Sequence, residues 1–239
     1  MSYTEIKGNI FNSKAMAIVN TVNCVGAMGK GLALEYKLRY PDMFYEYQKI
    51  CARRLLRPGQ ILPYTKSKPI ILNFAIKDDW KDDSRPEWIE ETLQKFTLKY
   101  NSMGITSVAF PWMGAMNGGL PFNIIRSLTR KYLSDLKDID IEVYEYDPNT
   151  PCPLFKTLKA LSEVDIFHLK GFVQQSNIQE RYWVRIFEAL NDDQIMSLDN
   201  LCHYMNNGKR IIGKTNIERL YRFLTEYSKT NLNLGFDHH

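Results

Sequence analysis

Between residues 4 and 146, short β-branched runs alternate with longer segments of helical apolar spacing, and few architectures accommodate that rhythm. Thr4–Lys7, Ala17–Asn20, Gln60–Tyr64, Ile70–Ile76, Thr106–Pro111 and Ile139–Tyr146 read as strands. Gly31–Arg39, Asp42–Arg53, Glu87–Asn101 and Phe122–Ser134 repeat their apolar residues at helical intervals. Ile70–Phe74 and Val108–Phe110 are nearly continuous apolar runs, as central strands covered on both faces require. The expected fold class is therefore α/β, a three-layer α/β/α sandwich.

The alternation stops at Asp147-Pro-Asn-Thr-Pro-Cys-Pro153, which has three prolines in seven residues. This sets two expected domains, residues 1–152 and residues 153–239. The second reads as a small helical region, with amphipathic segments at Leu154–Leu161, Gln179–Leu190, Leu198–Met205 and Asn216–Tyr227. Ile195–Met205, a turn at Asn207-Gly208 and Asn216–Tyr227 have the outline of a helix–turn–helix, with Lys209, Arg210, Lys214, Arg219 and Arg222 nearby. A plain helical bundle fits the same pattern, with Tyr182, Trp183, Phe187, Tyr221 and Phe223 as its core. The closing His238-His239 pair is given no role.

Composition excludes several classes of function. Apolar residues make up 44% and charged residues 24% of the chain, as in ordinary globular proteins. No stretch approaches the roughly 20 apolar residues that span a bilayer. The opening MSYTEIKGNIF lacks the basic-then-apolar pattern of a signal peptide, so a cytoplasmic location and no membrane partner are expected. Basic and acidic residues number 20 and 17 up to residue 152, and 11 and 10 beyond it, so neither part is a polyanion-binding surface by count. Cys24, Cys51, Cys152 and Cys202 are scattered, which fits reduced thiols. The first 152 residues contain no histidine, which removes a catalytic imidazole and any His-based metal site from that domain. The acidic run Asp78, Asp79, Asp82, Asp83 reads as a solvent-facing loop. No metal and no cofactor are expected.

Open α/β sheets bind ligands beyond the carboxyl ends of their strands, and three segments there carry chemistry. In Asn20-Thr-Val-Asn-Cys-Val-Gly-Ala-Met-Gly-Lys-Gly31 a strand runs through glycines 26, 29 and 31 into a helix. Such a turn brings backbone N–H groups and a helix N-terminus to an anion, although glycines so spaced equally suit a tight turn with no ligand. Pro111-Trp-Met-Gly-Ala-Met-Asn-Gly-Gly-Leu120 repeats the arrangement after another apolar strand. Neither loop is a Walker A or a full GxGxxG sequence, so ATP hydrolysis and dinucleotide-dependent redox chemistry are not supported. Lys77 ends the strand that begins at Ile70. A lysine there is either a solvated boundary residue or, in a partly desolvated crevice, an amine able to act as a nucleophile.

Taken together, the motifs resemble one family. Lys7-Gly-Asn-Ile10, Ile18-Val-Asn-Thr-Val-Asn23 and Gly26-Ala-Met-Gly-Lys-Gly31 resemble the first ligand loop of macrodomains, most closely the DarG antitoxin branch related to the terminal ADP-ribose protein glycohydrolases. Asn73–Lys77 with Trp80, Ser84 and Arg85 resembles that branch's catalytic-lysine segment, and Asn117-Gly-Gly-Leu120 its second loop. The resemblance covers roughly residues 3–150. It implies a mixed central sheet and an ADP-ribose cleft, with Asn9 near the adenine and Ile10 among the ligand-binding residues. Asn20 and Asn23 would bracket the distal ribose. Gly26, Met28, Gly29, Lys30 and Gly31 would surround the diphosphate together with Gly114, Met116, Asn117, Gly118 and Gly119. Lys77 would act at the anomeric carbon, and the implied reaction removes ADP-ribose from a nucleic-acid base, most simply in single-stranded DNA. The implied partners are ADP-ribose, ADP-ribosylated single-stranded DNA and a DarT-like toxin that makes the modification. Where relatives often carry an acidic residue after Gly-Gly-Leu, this chain has Pro121, and residues 154–239 do not resemble the usual toxin-neutralising region. The residues thus leave two readings open: a glycohydrolase using Lys77, or a macrodomain that binds ADP-ribose or a related nucleotide without turnover.

Overall fold

A computed structural model describes residues 2–164 and 168–232. His238 and His239 lie outside the described residues. The chain divides into two compact units, Met1–Tyr146 and Asp147–His239. The division falls at the start of the proline-rich segment, a few residues before the expected boundary.

The first unit is built on a six-stranded sheet in the order β1-β6-β5-β2-β4-β3. Its strands are β1 (Tyr3–Gly8), β2 (Ala17–Val22), β3 (Ile61–Tyr64), β4 (Ile70–Ala75), β5 (Ser107–Pro111) and β6 (Asp140–Tyr146). All neighbours are parallel except the edge pair β3–β4, so the sheet is mixed. The parallel strands β1, β6, β5, β2 and β4 therefore end on one edge. Every loop singled out in the sequence leaves from that edge.

Helices α1 (Gly31–Arg39), α2 (Pro41–Ala52), α3 (Pro86–Lys99) and α4 (Phe122–Leu133) complete the layers. Pro41 and Pro86 open α2 and α3, where a missing N–H costs nothing and the fixed φ suits the first turn. Met43, Tyr47 and Cys51 recur every four residues and form the buried stripe of α2; Ile89, Leu93 and Phe96, spaced four and three apart, form that of α3. Alternation along the strands separates two cores. Ala17, Val19, Leu72, Phe74, Val108 and Phe110 face α3 and α4, whereas Ile18, Val22, Ile71 and Ala75 face α1 and α2. Phe110 meets Phe74 and Phe96 edge-on, with ring centroids 5.8 and 5.1 Å apart. The edge strand β1 is fastened to α4 by Glu5, whose carboxylate takes Arg130 Nε at 2.7 Å and Arg126 Nη2 at 2.8 Å. Arg130 first, and Arg126 with it, hold that carboxyl down at about 2.

The second unit contains α5 (Pro153–Ser162), α6 (Leu169–Ser176), α7 (Glu180–Ala189), α8 (Leu198–His203) and α9 (Lys214–Leu232). Its core is aromatic. Fully buried Trp183 lies 5.7 Å from Phe172 and 5.3 Å from Phe223, centroid to centroid, and its Nε1 donates to Ser176 Oγ at 3.1 Å. Two features depart from the reading of the sequence. Helix α6 was not anticipated, because Gly171 and two glutamines blur its periodicity. The connection between α8 and α9 is no helix–turn–helix turn of three or four residues. It contains a β-hairpin, β7 (Met205–Asn206) with β8 (Lys209–Arg210), so the region is not purely helical. Asn207 and Gly208 have φ of 51° and 72°, the left-handed pair that a two-residue hairpin requires, and Asn-Gly carries that preference before any helix–helix turn.

We expect residues 1–152 alone to unfold in one cooperative denaturant transition, since sheet, helices and both cores lie within residues 1–146. An insoluble or non-cooperative fragment would show that the helical unit is needed for the fold.

Candidate active site

Backbone pairing places the three loops before any side chain does. Beyond β2 and β4 the ladder continues, with Ile76 N donating to Val22 O at 3.0 Å and Cys24 N to Asp78 O at 2.9 Å. Lys77 is thus held between two residues tied to the first loop. Seven residues further on, Ser84 N donates to Gly118 O at 2.9 Å, which ties the same segment to the second loop. Lys77 is half-buried, and its Nζ donates to the carbonyl oxygen of Asn117 at 2.6 Å. Asn117 also reaches the first loop: a Cβ at Gly31 would stand 2.6 Å from Asn117 Nδ2. Gly31, with φ of +58°, begins α1. The lysine, the second loop and the N-terminus of α1 therefore converge on Asn117.

The first loop is shaped by Asn23. Its Oδ1 accepts from Val25 N at 3.1 Å and Ala27 N at 3.2 Å, and its Nδ2 donates to Ala27 O at 2.6 Å. The buried Tyr47 hydroxyl lies 2.7 Å from Asn23 O and 3.0 Å from Oδ1, and burial keeps that phenol protonated by raising its pKa. Asn23 thus holds the loop in place through both the oxygen and the nitrogen of its side-chain amide. Asn20 lies beneath it, fully buried. Its Nδ2 donates to Asn73 Oδ1 at 2.9 Å, while its Oδ1 has no partner among the described residues. Met28 is buried against Asn20, with its sulfur 3.9 Å from Nδ2, whereas Gly29 and Lys30, which lead into α1, are exposed. Asn9 follows β1 and caps a short 3-10 turn (Ile10–Asn12), accepting from Phe11 N at 3.1 Å. Ile10 is buried beside it. These two lie at the end of β1, three strands away from β2.

In the second loop Gly114 and Gly118 are buried against each other, and Met116 and Asn117 are exposed. Leu120 N closes the loop onto Gly114 O at 3.2 Å. Pro121 is the N-cap of α4, its carbonyl accepting from Ile124 N and Ile125 N. The carboxylate that meets this loop belongs to Asp83, against which any side chain at Gly119 would collide. Reading the sequence did not single out Asp83; its only signal was membership of the acidic run. Cys24, the thiol in the first loop, is no nucleophile. Burial, then the charge of Asp78, pushes it up to about 12, so it stays protonated. Among the described residues no cluster of His, Cys, Asp or Glu is arranged to hold a metal ion.

Comparison with known proteins points one way. Residues 19–129 match the Macro domain family. The chain is 37% identical over 144 residues to a DNA ADP-ribosyl glycohydrolase of Thermus aquaticus, an alignment covering 59% of this chain and 40% of that protein. The chain thus spans well under half the length of this curated relative. Among solved structures, the macrodomain of Thermus aquaticus DarG superposes with a TM-score of 0.57 at 36% identity, covering 60% of this chain and 97% of that one. Thermosipho africanus DarTG in complex with ADP-ribose superposes with a TM-score of 0.57 at 30% identity, covering 63% and 43%. The six-stranded mixed sheet between helical layers is the architecture these structures share, and it agrees with the fold expected from sequence. No helix among the described residues is long and apolar enough to cross a membrane.

Proposed function

The N-terminal unit of this chain is a macrodomain similar to those of DarG proteins, and from this premise we propose that it removes ADP-ribose from a base of single-stranded DNA. The observation that supports this best is the convergence on Asn117. The amine of Lys77 lies within hydrogen-bond reach of the same residue that packs on the N-terminus of α1. A diphosphate held by backbone N–H groups of the two glycine loops and by that helix end would extend its distal ribose toward the lysine. The unpaired Oδ1 of Asn20 lies under the same loop, an acceptor that a buried polar network would not leave vacant without reason.

Lys77 has two ways to act on the anomeric carbon. As a free amine its lone pair attacks as the bond to the base breaks, giving a covalent intermediate that water then resolves. As an ammonium it offers positive charge to the departing base. In either case one water is consumed: the base nitrogen gains hydrogen and the sugar carbon gains hydroxyl. The carboxylate of Asp83, against Gly119, is the candidate to take the proton from that water, a role Pro121 cannot fill. Lys77→Arg separates the two routes, since it keeps charge and loses the nucleophile.

A non-catalytic reader is favoured by one observation, the proline at 121. Asp83, beside Gly119, offers a carboxylate that could serve in its place. A DarT-like partner is supported by the Thermosipho africanus relative, named as a fusion of a DNA ADP-ribosyl transferase with a DNA ADP-ribosyl glycohydrolase.

Calorimetry tests the ligand first. We expect ADP-ribose to bind more tightly than AMP, because two glycine loops engage both phosphates and the distal ribose. Equal affinity for the two would remove the ADP-ribose reading. Turnover of ADP-ribosylated DNA then decides between enzyme and reader.

A further inference from the structure

Of the four tryptophans, Trp112 and Trp183 are buried and Trp88 is half-buried, while Trp80 is 58% exposed. An indole in water forgoes one of the largest apolar burials any side chain can make. Among the described residues no other aromatic ring packs on it, and its one ring contact is the Lys81 ammonium, 5.5 Å from the centroid. Trp80 lies three residues beyond Lys77, on the segment pinned to both glycine loops. Each of those loops also presents a large apolar side chain to solvent, Val25 at 51% and Met116 at 74% exposure. Each of the three segments that carry the candidate site residues thus exposes one large apolar group to solvent.

We propose that Trp80 is a stacking residue for the unpaired base next to the modified one, and that it makes a single strand the preferred acceptor. The proposal rests on the glycohydrolase reading. A flat indole with an open face takes any base by its π surface, and a neighbouring lysine suits the adjoining phosphate. A duplex keeps its bases stacked on each other and gives Trp80 nothing to grip.

The test uses the full chain and three probes: an ADP-ribosylated single-stranded oligonucleotide, the corresponding ADP-ribosylated mononucleotide, and ADP-ribose. Trp80→Ala should lower kcat/KM for the oligonucleotide on the order of tenfold or more, the scale of one base–aromatic stack. It should leave the mononucleotide's kcat/KM and the ADP-ribose affinity within about twofold, and Trp80→Phe should recover most of the loss. Equal losses on oligonucleotide and mononucleotide, or no loss on either, would overturn the proposal. If the unmutated protein turns over neither substrate, the glycohydrolase reading is what has failed. Affinity for the oligonucleotide by fluorescence anisotropy then decides for Trp80: weaker binding by Trp80→Ala supports stacking, and unchanged binding ends it.

Discussion

Lys77→Ala is expected to abolish removal of ADP-ribose from single-stranded DNA while leaving ADP-ribose affinity within about tenfold, or roughly 1.4 kcal/mol. Binding should survive because, on the proposed reading, backbone groups of the two glycine loops would hold the diphosphate. The lysine itself is half-buried and bonded to a carbonyl, that of Asn117. Rate should collapse because a nucleophile or cation needed mainly in the transition state is lost, and such losses appear in turnover more than in affinity. Rates would be measured by loss of the adduct from a labelled oligonucleotide, affinities by calorimetry. Near-normal turnover by the alanine variant would mean that the chemistry lies elsewhere in the crevice.

Gly118→Ala should have the largest effect on binding. A Cβ there would stand 2.7 Å from the carbonyl carbon of Gly114, and backbone cannot swing aside as a side chain does. The loop must open, which breaks the Ser84–Gly118 bond and moves Asn117 away from Lys77. Forced overpacking of this kind costs about 1–3 kcal/mol. We expect ADP-ribose affinity to fall about tenfold or more, with the unfolding midpoint lowered by a few degrees per kcal/mol of that cost. Gly29→Ala is the informative companion. A Cβ there meets no protein atom within 4 Å, so lost affinity at that position comes from the ligand's approach and not from a distorted loop. Unchanged affinity in Gly118→Ala would show that the second loop does not grip the ligand.

Strands and helices of the first unit were legible to within a residue or two because each buries an apolar stripe at its own period. Ile89, Leu93 and Phe96 in α3 and Ile71 through Ala75 in β4 are examples. Glycine spacing likewise marked both crevice loops. What sequence did not carry is contact between segments distant along the chain. Lys77 meets Asn117 across 40 residues, and Asp83 meets Gly119 across nearly as many, because β4 and β5 end beside each other only through β2 between them. The sequence directs attention for a carboxylate in the second loop to position 121, the neighbour of Gly-Gly-Leu, where it has proline. The one that packs there belongs to Asp83, at the far end of the acidic run. In the helical unit the hairpin was missed for a different reason. Asn207-Gly208 was weighed as a helix connection because helices flank it, although its own backbone preference is for a two-residue β-turn.

The central claim is that the crevice turns ADP-ribosylated DNA over. Its most direct test mixes the full chain, at substoichiometric concentration, with a single-stranded oligonucleotide carrying one ADP-ribosylated base. Free ADP-ribose and restored oligonucleotide are followed over time. The account predicts that both products rise together, beyond one equivalent of protein, and that Lys77→Ala yields neither. An unmutated protein that binds the oligonucleotide yet releases no ADP-ribose would contradict it and make this macrodomain a reader.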